Sequence, residues 1–346
     1  MIAGGHRAAG GQLLDTKPYV EHHPIFGYRY IPGTNLELAR PAGGSYHFKV
    51  NSQGIRSDRE YFFEKPGSFR RIIVCGDSMA AGQFLSNSER FSELLERRVP
   101  GLEIINLALE GSGTDQQVLL YEYMGLQYEH DIVLLMPFLQ NVRRNMVEAR
   151  EAIDPKTGET VFRPKPRFEL VDGKLVLRNV PVPREVFARD MRKKGATDAP
   201  RSWQTTLKAA ISALPGSTLF KRALYSVMPW EPFPEYRDAS SREWRLMSAL
   251  ILRLAELAKG RPVIVAPTFY SNYVRFRMAR NYWDRYKALS TAGAIRVIDL
   301  LPHFRRLGTA AVRCFQEPYD MHFSAFGNLV LADALEQELR LMKMVS

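Results

Sequence analysis

A serine among small residues, a histidine two positions after an aspartate, and a lone asparagine are the parts of this 346-residue chain that can do chemistry together. The serine is Ser78, in RIIVCGDSMAAGQ, where the apolar run Ile72–Cys75 passes directly into Gly76, Asp77 and Ser78, with the small stretch Ala80 to Gly82 close behind. Ser and Asp at such a turn admit two readings. One is a helix N-cap that satisfies orphan backbone N–H groups. The other is a nucleophile displayed at the carboxyl end of a parallel strand, where open α/β sheets place their ligands. The second reading needs a base, an orienting acid and donors for an oxyanion. Asp320 and His322 lie in PYDMHFSAFGN, Asn141 follows DIVLLMPFLQ, and Gly111 lies in NLALEGSGTDQ. A hydroxyl, a glycine amide, a carboxamide and an Asp-His pair suit acyl transfer: serine attacks, histidine takes its proton, aspartate fixes the histidine tautomer, and amides hold the oxyanion.

Such residues work only if strands and helices bring them together. Ile72–Cys75 reads as a strand buried on both faces. Arg90–Arg98 then reads as helix, Glu103–Leu107 as strand, Asp115–Tyr128 as helix and Asp131–Met136 as strand. This alternation predicts a parallel sheet with right-handed crossovers. After Asn145 the pattern breaks. Residues 146–240 are proline-rich, with a hairpin signal at Asp172-Gly173, a helical piece around Thr205–Tyr225 and the irregular stretch MPWEPFPEY. The alternation resumes with helix Ser241–Lys259, strand Pro262–Ala266, helix Asn281–Thr291, strand Arg296–Leu300 and a last helix Ala325–Leu341. The expected fold is a three-layer α/β/α sandwich with a mostly parallel sheet of about five strands. It divides into an N-terminal extension at 1–68, a core at 69–145 and 241–346, and an inserted cap at 146–240.

Composition removes several function classes. Two cysteines, Cys75 and Cys314, exclude a disulfide framework. Seven scattered histidines, with His22-His23 the only adjacent pair, form no chelating pattern. Residues 143–201 hold 15 Lys/Arg against 9 Asp/Glu, so six of the eleven surplus positive charges lie there. That stretch has no nucleic-acid-binding signature; a solvated basic face or attraction to an anionic partner remains. No apolar run reaches the ~20 residues of a membrane span. MIAGGHRAAGGQLLDTK lacks the apolar core of a signal peptide, so a cytoplasmic chain is expected unless an export segment precedes it.

The four blocks, in this order, resemble the SGNH hydrolases, also called GDSL esterases and lipases. Gly76-Asp77-Ser78 with Gly82 matches the first block, Asn106 to Gly111 the second, Asn141 the third and Asp320/His322 the last. The likeness covers about 70–145 and 240–345. It implies a flavodoxin-like fold with Ser78 as nucleophile, His322 as base and Asp320 as its orienter. It also implies an oxyanion hole made by the Ser78 and Gly111 N–H groups and the Asn141 side chain. Two departures stand out. The Asp–His spacing is two where many members have three, a form similar to the alginate-acetylating, polysaccharide O-acetyltransferase branch. Gln140-Asn141-Val142 also lacks the Gly and Asp that usually flank the third-block Asn. The lead-in VNSQGIRSD is similar to that of bacterial members acting on sugar esters.

The expected function is therefore a serine esterase that removes small acyl groups, O-acetyl foremost, from a carbohydrate. Its partner is a small-molecule or glycan acyl ester, and neither a metal nor an organic cofactor is implied. One alternative is an O-acyltransferase that passes the acyl group to a glycan hydroxyl; another is a non-catalytic glycan-binding protein. Arg143 and Arg144, just past Asn141, suit either an anionic substrate or a solvated helix start. His303 reads as a partly exposed loop residue, with pointing into the site as the alternative, His130 as structural, Asp77 as a holder of loop amides or a cap, and Asp115 as a helix cap. The aromatics of MPWEPFPEY suit a pocket lining or the packing of the cap.

Overall fold

The computed structural model describes residues 17–153, 159–185, 229–290 and 295–345; the helical piece expected around Thr205–Tyr225 lies outside them. Two antiparallel hairpins come first, β1 (Val20–His23) with β2 (Gly27–Tyr30), and β3 (Asn35–Ala39) with β4 (Ser45–Lys49). The central sheet starts with β5 (Arg70–Gly76), β6 (Leu102–Asn106) and β7 (Ile132–Met136). Two more hairpins follow, β8 (Ala149–Ile153) with β9 (Thr160–Pro164), and β10 (Arg167–Val171) with β11 (Lys174–Arg178). The sheet is completed by β12 (Val263–Val265) and β13 (Ile295–Val297).

All five sheet strands are parallel, in the order β6-β5-β7-β12-β13. This is the doubly wound, flavodoxin-like order, as the sequence pattern predicts. Helices on both faces explain why Ile72, Ile73, Val74 and Cys75 are all buried. Helices Thr114–Tyr123 and Arg242–Leu257 pack together on one side, and helices Phe91–Arg98 and Ala325–Leu341 on the other. Trp244, Met247, Leu250, Ile251 and Leu254 follow helical spacing and form the buried stripe of their helix, which Ser241 caps by accepting the Trp244 N–H at 3.2 Å.

Several boundaries differ from expectation for local reasons. The helix expected at 115–128 is Thr114–Tyr123 followed by a 3₁₀ turn, Gly125–Gln127. Gly125 packs so tightly on Tyr121 that a Cβ there would lie 2.7 Å from the ring. Asp131 stands just before β7, its carboxylate accepting the Arg71 N–H at 2.8 Å and pairing with Lys65 at 3.0 Å. The Asp172-Gly173 hairpin forms as predicted, with positive φ at both residues and Val171 facing Lys174. The described residues of MPWEPFPEY carry a 3₁₀ turn, Pro234–Tyr236, and an isolated bridge from Trp230 to Met278. Phe233 and Tyr236 are buried, and the Tyr236 hydroxyl donates to Leu139 O at 2.9 Å, so these aromatics pack beside the Asn141 loop.

Candidate active site

β5 lies between β6 and β7, where the strand order reverses, and it delivers Ser78 at its carboxyl end. Asp77, not Ser78, caps the short helix Ser78–Ala81, its carboxylate accepting the Met79 N–H at 3.0 Å. Gly82 ends that helix at φ +67°, the left-handed region that favours glycine. Capping therefore leaves the serine hydroxyl free for another partner: Ser78 Oγ is 2.8 Å from His322 Nε2. His322 Nδ1 bonds Asp320 Oδ1, and the same oxygen accepts the His322 backbone N–H at 2.9 Å. The two-residue spacing thus lets one carboxylate oxygen hold both the ring and the backbone of the histidine. Gln316 pins this loop by accepting backbone bonds from Asp320 and donating its side-chain amide to Gln83 O and Phe323 O. Ser78 is 1% exposed and His322 3%.

The groups expected to serve as oxyanion donors lie on three neighbouring loops. Ser78, as the first residue of its helix, has no partner for its N–H within that helix. Asn106 ties the loop after β6 to the nucleophile turn, donating to Ala80 O at 3.0 Å and accepting the Ala108 N–H at 3.0 Å. Gly111 lies farther along this loop at φ +85°. Asn141 opens the single turn Asn141–Arg144 after β7 and is fully buried. Its side chain makes no capping bond; its Oδ1 accepts from Arg144 at 3.3 Å, and its Nδ2 is turned to the Asp77 carboxylate without making a full hydrogen bond. In place of the missing Gly and Asp, Gln140 secures the loop by accepting from Tyr270 at 3.1 Å and Arg144 at 3.4 Å, while Val142 is buried.

Charge around these residues is concentrated and mostly buried. Burial pushes the Asp77 carboxyl up; Arg144, the Met79 amide, His322 and Asn141 pull it partly back. Arg144, 3.4 Å from Asp77, links that carboxylate to Asn141 and Ser112 O. Arg143 is turned away, paired with Glu235 and lying over Phe233. Two further corrections concern residues away from Ser78. Asp115 does not cap its helix, whose N-cap residue is Gly113; it forms a buried ion pair with Lys165 from the insertion. His303 is on the helix Leu301–Arg305, mostly buried and 2.8 Å from Glu338. His130 is buried as a structural group, Nδ1 donating to Tyr128 O and Nε2 accepting from the Tyr121 hydroxyl.

Other residues reach the site from outside the four blocks. Buried Arg56, from the lead-in VNSQGIRSD, donates to the carbonyls of Ala81, Gly82 and Leu85 behind Ser78 and lies 3.7 Å from Glu110. Glu110, next to Gly111, also binds Lys17 and the Tyr19 hydroxyl, while Tyr28 and Tyr30 hold its backbone O and N–H. Arg150 of β8 packs against Gly111 itself: a Cβ on Gly111 would lie 2.6 Å from its guanidinium. A charged residue before an otherwise apolar loop, as in Leu107–Gly111, was the one sequence signal for this network. Among the described residues no group of three His, Cys, Asp or Glu side chains could hold a metal ion. No helix among them is long and apolar enough to cross a membrane.

No family model matches the chain, and no curated protein matches it. Several solved structures are similar. The lipase/acylhydrolase from Enterococcus faecalis is 12% identical, with 79% of this chain and 96% of that one covered and a TM-score of 0.40. A member of the lipolytic protein G-D-S-L family from Veillonella parvula is 12% identical, with 78% and 97% covered and a TM-score of 0.42. The acetylxylan esterase Axe2 from Geobacillus stearothermophilus is 13% identical, with 80% and 96% covered and a TM-score of 0.42.

Proposed function

We propose that the chain is a serine esterase of the SGNH type that removes small acyl groups, O-acetyl foremost, from a carbohydrate. One observation carries this reading: the hydrogen-bonded line Asp320–His322–Ser78 ends beside the loop of Asn141, whose buried amide makes no full hydrogen bond to a protein atom. Ser78 Oγ attacks the ester carbonyl while His322 Nε2 takes the hydroxyl proton and Asp320 keeps the proton on Nδ1. The carbonyl oxygen, now charged, receives N–H bonds from Ser78, Gly111 and Asn141. His322 gives its proton to the departing alkoxide, leaving an acyl-enzyme. A water, deprotonated by His322, then releases the carboxylic acid and restores the Ser78 hydroxyl. A second reading, transfer of the acyl group to a sugar hydroxyl, is favoured by the two-residue Asp–His spacing and shares every step up to the acyl-enzyme.

Mass spectrometry after treatment with a fluorophosphonate tests the nucleophile and is expected to find a single adduct on Ser78. On an acyl-ester panel, Ser78→Ala and His322→Ala each remove nearly all activity. The double variant is hardly slower, because residues acting as a unit are not additive. Additive losses, or an unlabelled and inactive protein, overturn the assignment. An acceptor sugar that gains acyl groups at the expense of free acid selects the transferase reading.

A further inference from the structure

A cavity of about 140 Å³ opens between the first hairpin and the insertion, beside the loop that carries Gly111. Its described lining holds Lys17, Arg150, Arg163, Lys165 and Arg184 against one acidic residue, Glu21. Glu21 is already paired with Arg29 at 2.7 Å. Lys17 and Lys165 are neutralised by the buried carboxylates of Glu110 and Asp115. Arg150 is different. Among the described residues it pairs with no carboxylate, and its hydrogen bond goes to the Tyr28 hydroxyl at 3.3 Å. Its guanidinium lies against Gly111 and near Arg144, whose own charge is disfavoured by burial first and then by Arg150. A guanidinium held over a site with no counter-ion presents its fork to a planar or tetrahedral anion. The tyrosine that orients Arg150 also holds the Glu110 carbonyl, so the cavity and the oxyanion loop share one wall.

We infer that this cavity receives an anionic substituent (carboxylate, sulfate or phosphate) on the sugar whose ester is cleaved, with Arg150 as the residue that recognises it. The inference rests on the esterase reading for the identity of the substrate, while anion binding itself can be read without catalysis. It makes the insertion a source of specificity: β8 supplies Arg150, and the β9–β10 connection supplies Lys165. A neutral acetylated sugar would leave Arg150 unpaired at the oxyanion loop, whereas an anionic one would neutralise it.

Calorimetric titration of the Ser78→Ala protein with glucuronate, glucose 6-sulfate, glucose 6-phosphate and glucose tests binding apart from turnover. At least one anionic sugar is expected to bind roughly tenfold more tightly than glucose, the scale of one charge-assisted hydrogen bond. The anion that binds best identifies the substituent. Adding Arg150→Gln erases the difference, and Arg150→Lys retains part of it. On the enzyme with Ser78 intact, the ratio of kcat/KM for an acetylated glucuronide over an acetylated glucoside falls about tenfold in Arg150→Gln. Equal binding of all four sugars overturns the proposal. So does an Arg150→Gln variant that slows both esters by the same factor, since that result assigns Arg150 to the oxyanion. Arg150-dependent anion binding by a protein that no fluorophosphonate labels would uphold the cavity and overturn the esterase reading.

Discussion

The buried Asn141 amide makes no full hydrogen bond to a protein atom and lies beside the Asp77 carboxylate, and a bound oxyanion would engage it. Asn141→Ala is expected to lower kcat by about 10²–10³ with KM nearly unchanged, since the bond forms only as charge develops on the oxygen. The melting temperature is expected to change little, because alanine loses only the long contacts of Asn141 with Asp77 and Arg144. Kinetics and thermal unfolding on one preparation check both; a less stable but fully active variant would make Asn141 a structural residue. Asn141→Asp is expected to be at least as slow, since a carboxylate repels the forming charge. At this scale the sequence was legible where chemistry sits at strand ends: Ser78 follows β5, Asn141 follows β7, and Asp320 and His322 precede the last helix. Arg150 was not legible. It belongs to the insertion and reaches Gly111 only through space, with no spacing to betray it.

Among elements, the first hairpin and the lead-in behave as supports of the loop that carries Gly111 and of the turn that carries Ser78. Burial alone would raise the Glu110 pKa, but Lys17 and Arg56 together hold it below the usual glutamate range. Its folded pKa is therefore the lower one. The stability that Glu110 contributes is complete above the unfolded value of 4.5 and is lost as pH falls through the folded value. Melting temperature followed downward from pH 7 should fall off below about pH 4.5 in the parent and less steeply in Glu110→Gln, which starts lower. Parallel curves would deny Glu110 this role. Arg56→Met leaves three carbonyls behind Ser78 without their donor and is expected to cost about 3–5 kcal/mol by urea unfolding. Sequence pattern found the hairpin at Asp172-Gly173 and the final helix, because turn chemistry and helical periodicity are local. The early end of the helix at Tyr123 escaped it, since the contact of Gly125 with Tyr121 is a matter of packing.

For the whole molecule, alternation of strand and helix was enough to predict the layers and the parallel sheet. How the leading segment and the insertion dock was hidden, because the joints are buried charges on residue types that ordinarily face water. Arg56 fastens the lead-in to the nucleophile turn, and Lys165 fastens the insertion to Asp115 at the start of the helix that follows the oxyanion loop. Lys165→Met alone is expected to cost about 3–5 kcal/mol by stranding the Asp115 carboxylate, whereas Lys165→Met with Asp115→Leu should recover most of that loss. Urea unfolding of the two single variants and the double variant gives the coupling. A double variant as unstable as the sum of the singles would mean that the pair does not fasten the insertion.

The hydrogen bond between Ser78 and His322 joins residues 244 positions apart. On a ribosome adding about 5–20 residues per second, the serine therefore waits on the order of ten to fifty seconds for His322 to be made. The last helix, capped by Ser324, must then dock on Phe91–Arg98, where Asn328 accepts the Phe91 N–H at 3.0 Å. Until that happens Ser78 lacks its His322 partner. On the proposed reading a chain broken off before residue 320 would then be inert, and activity would be reserved for chains made at least as far as His322.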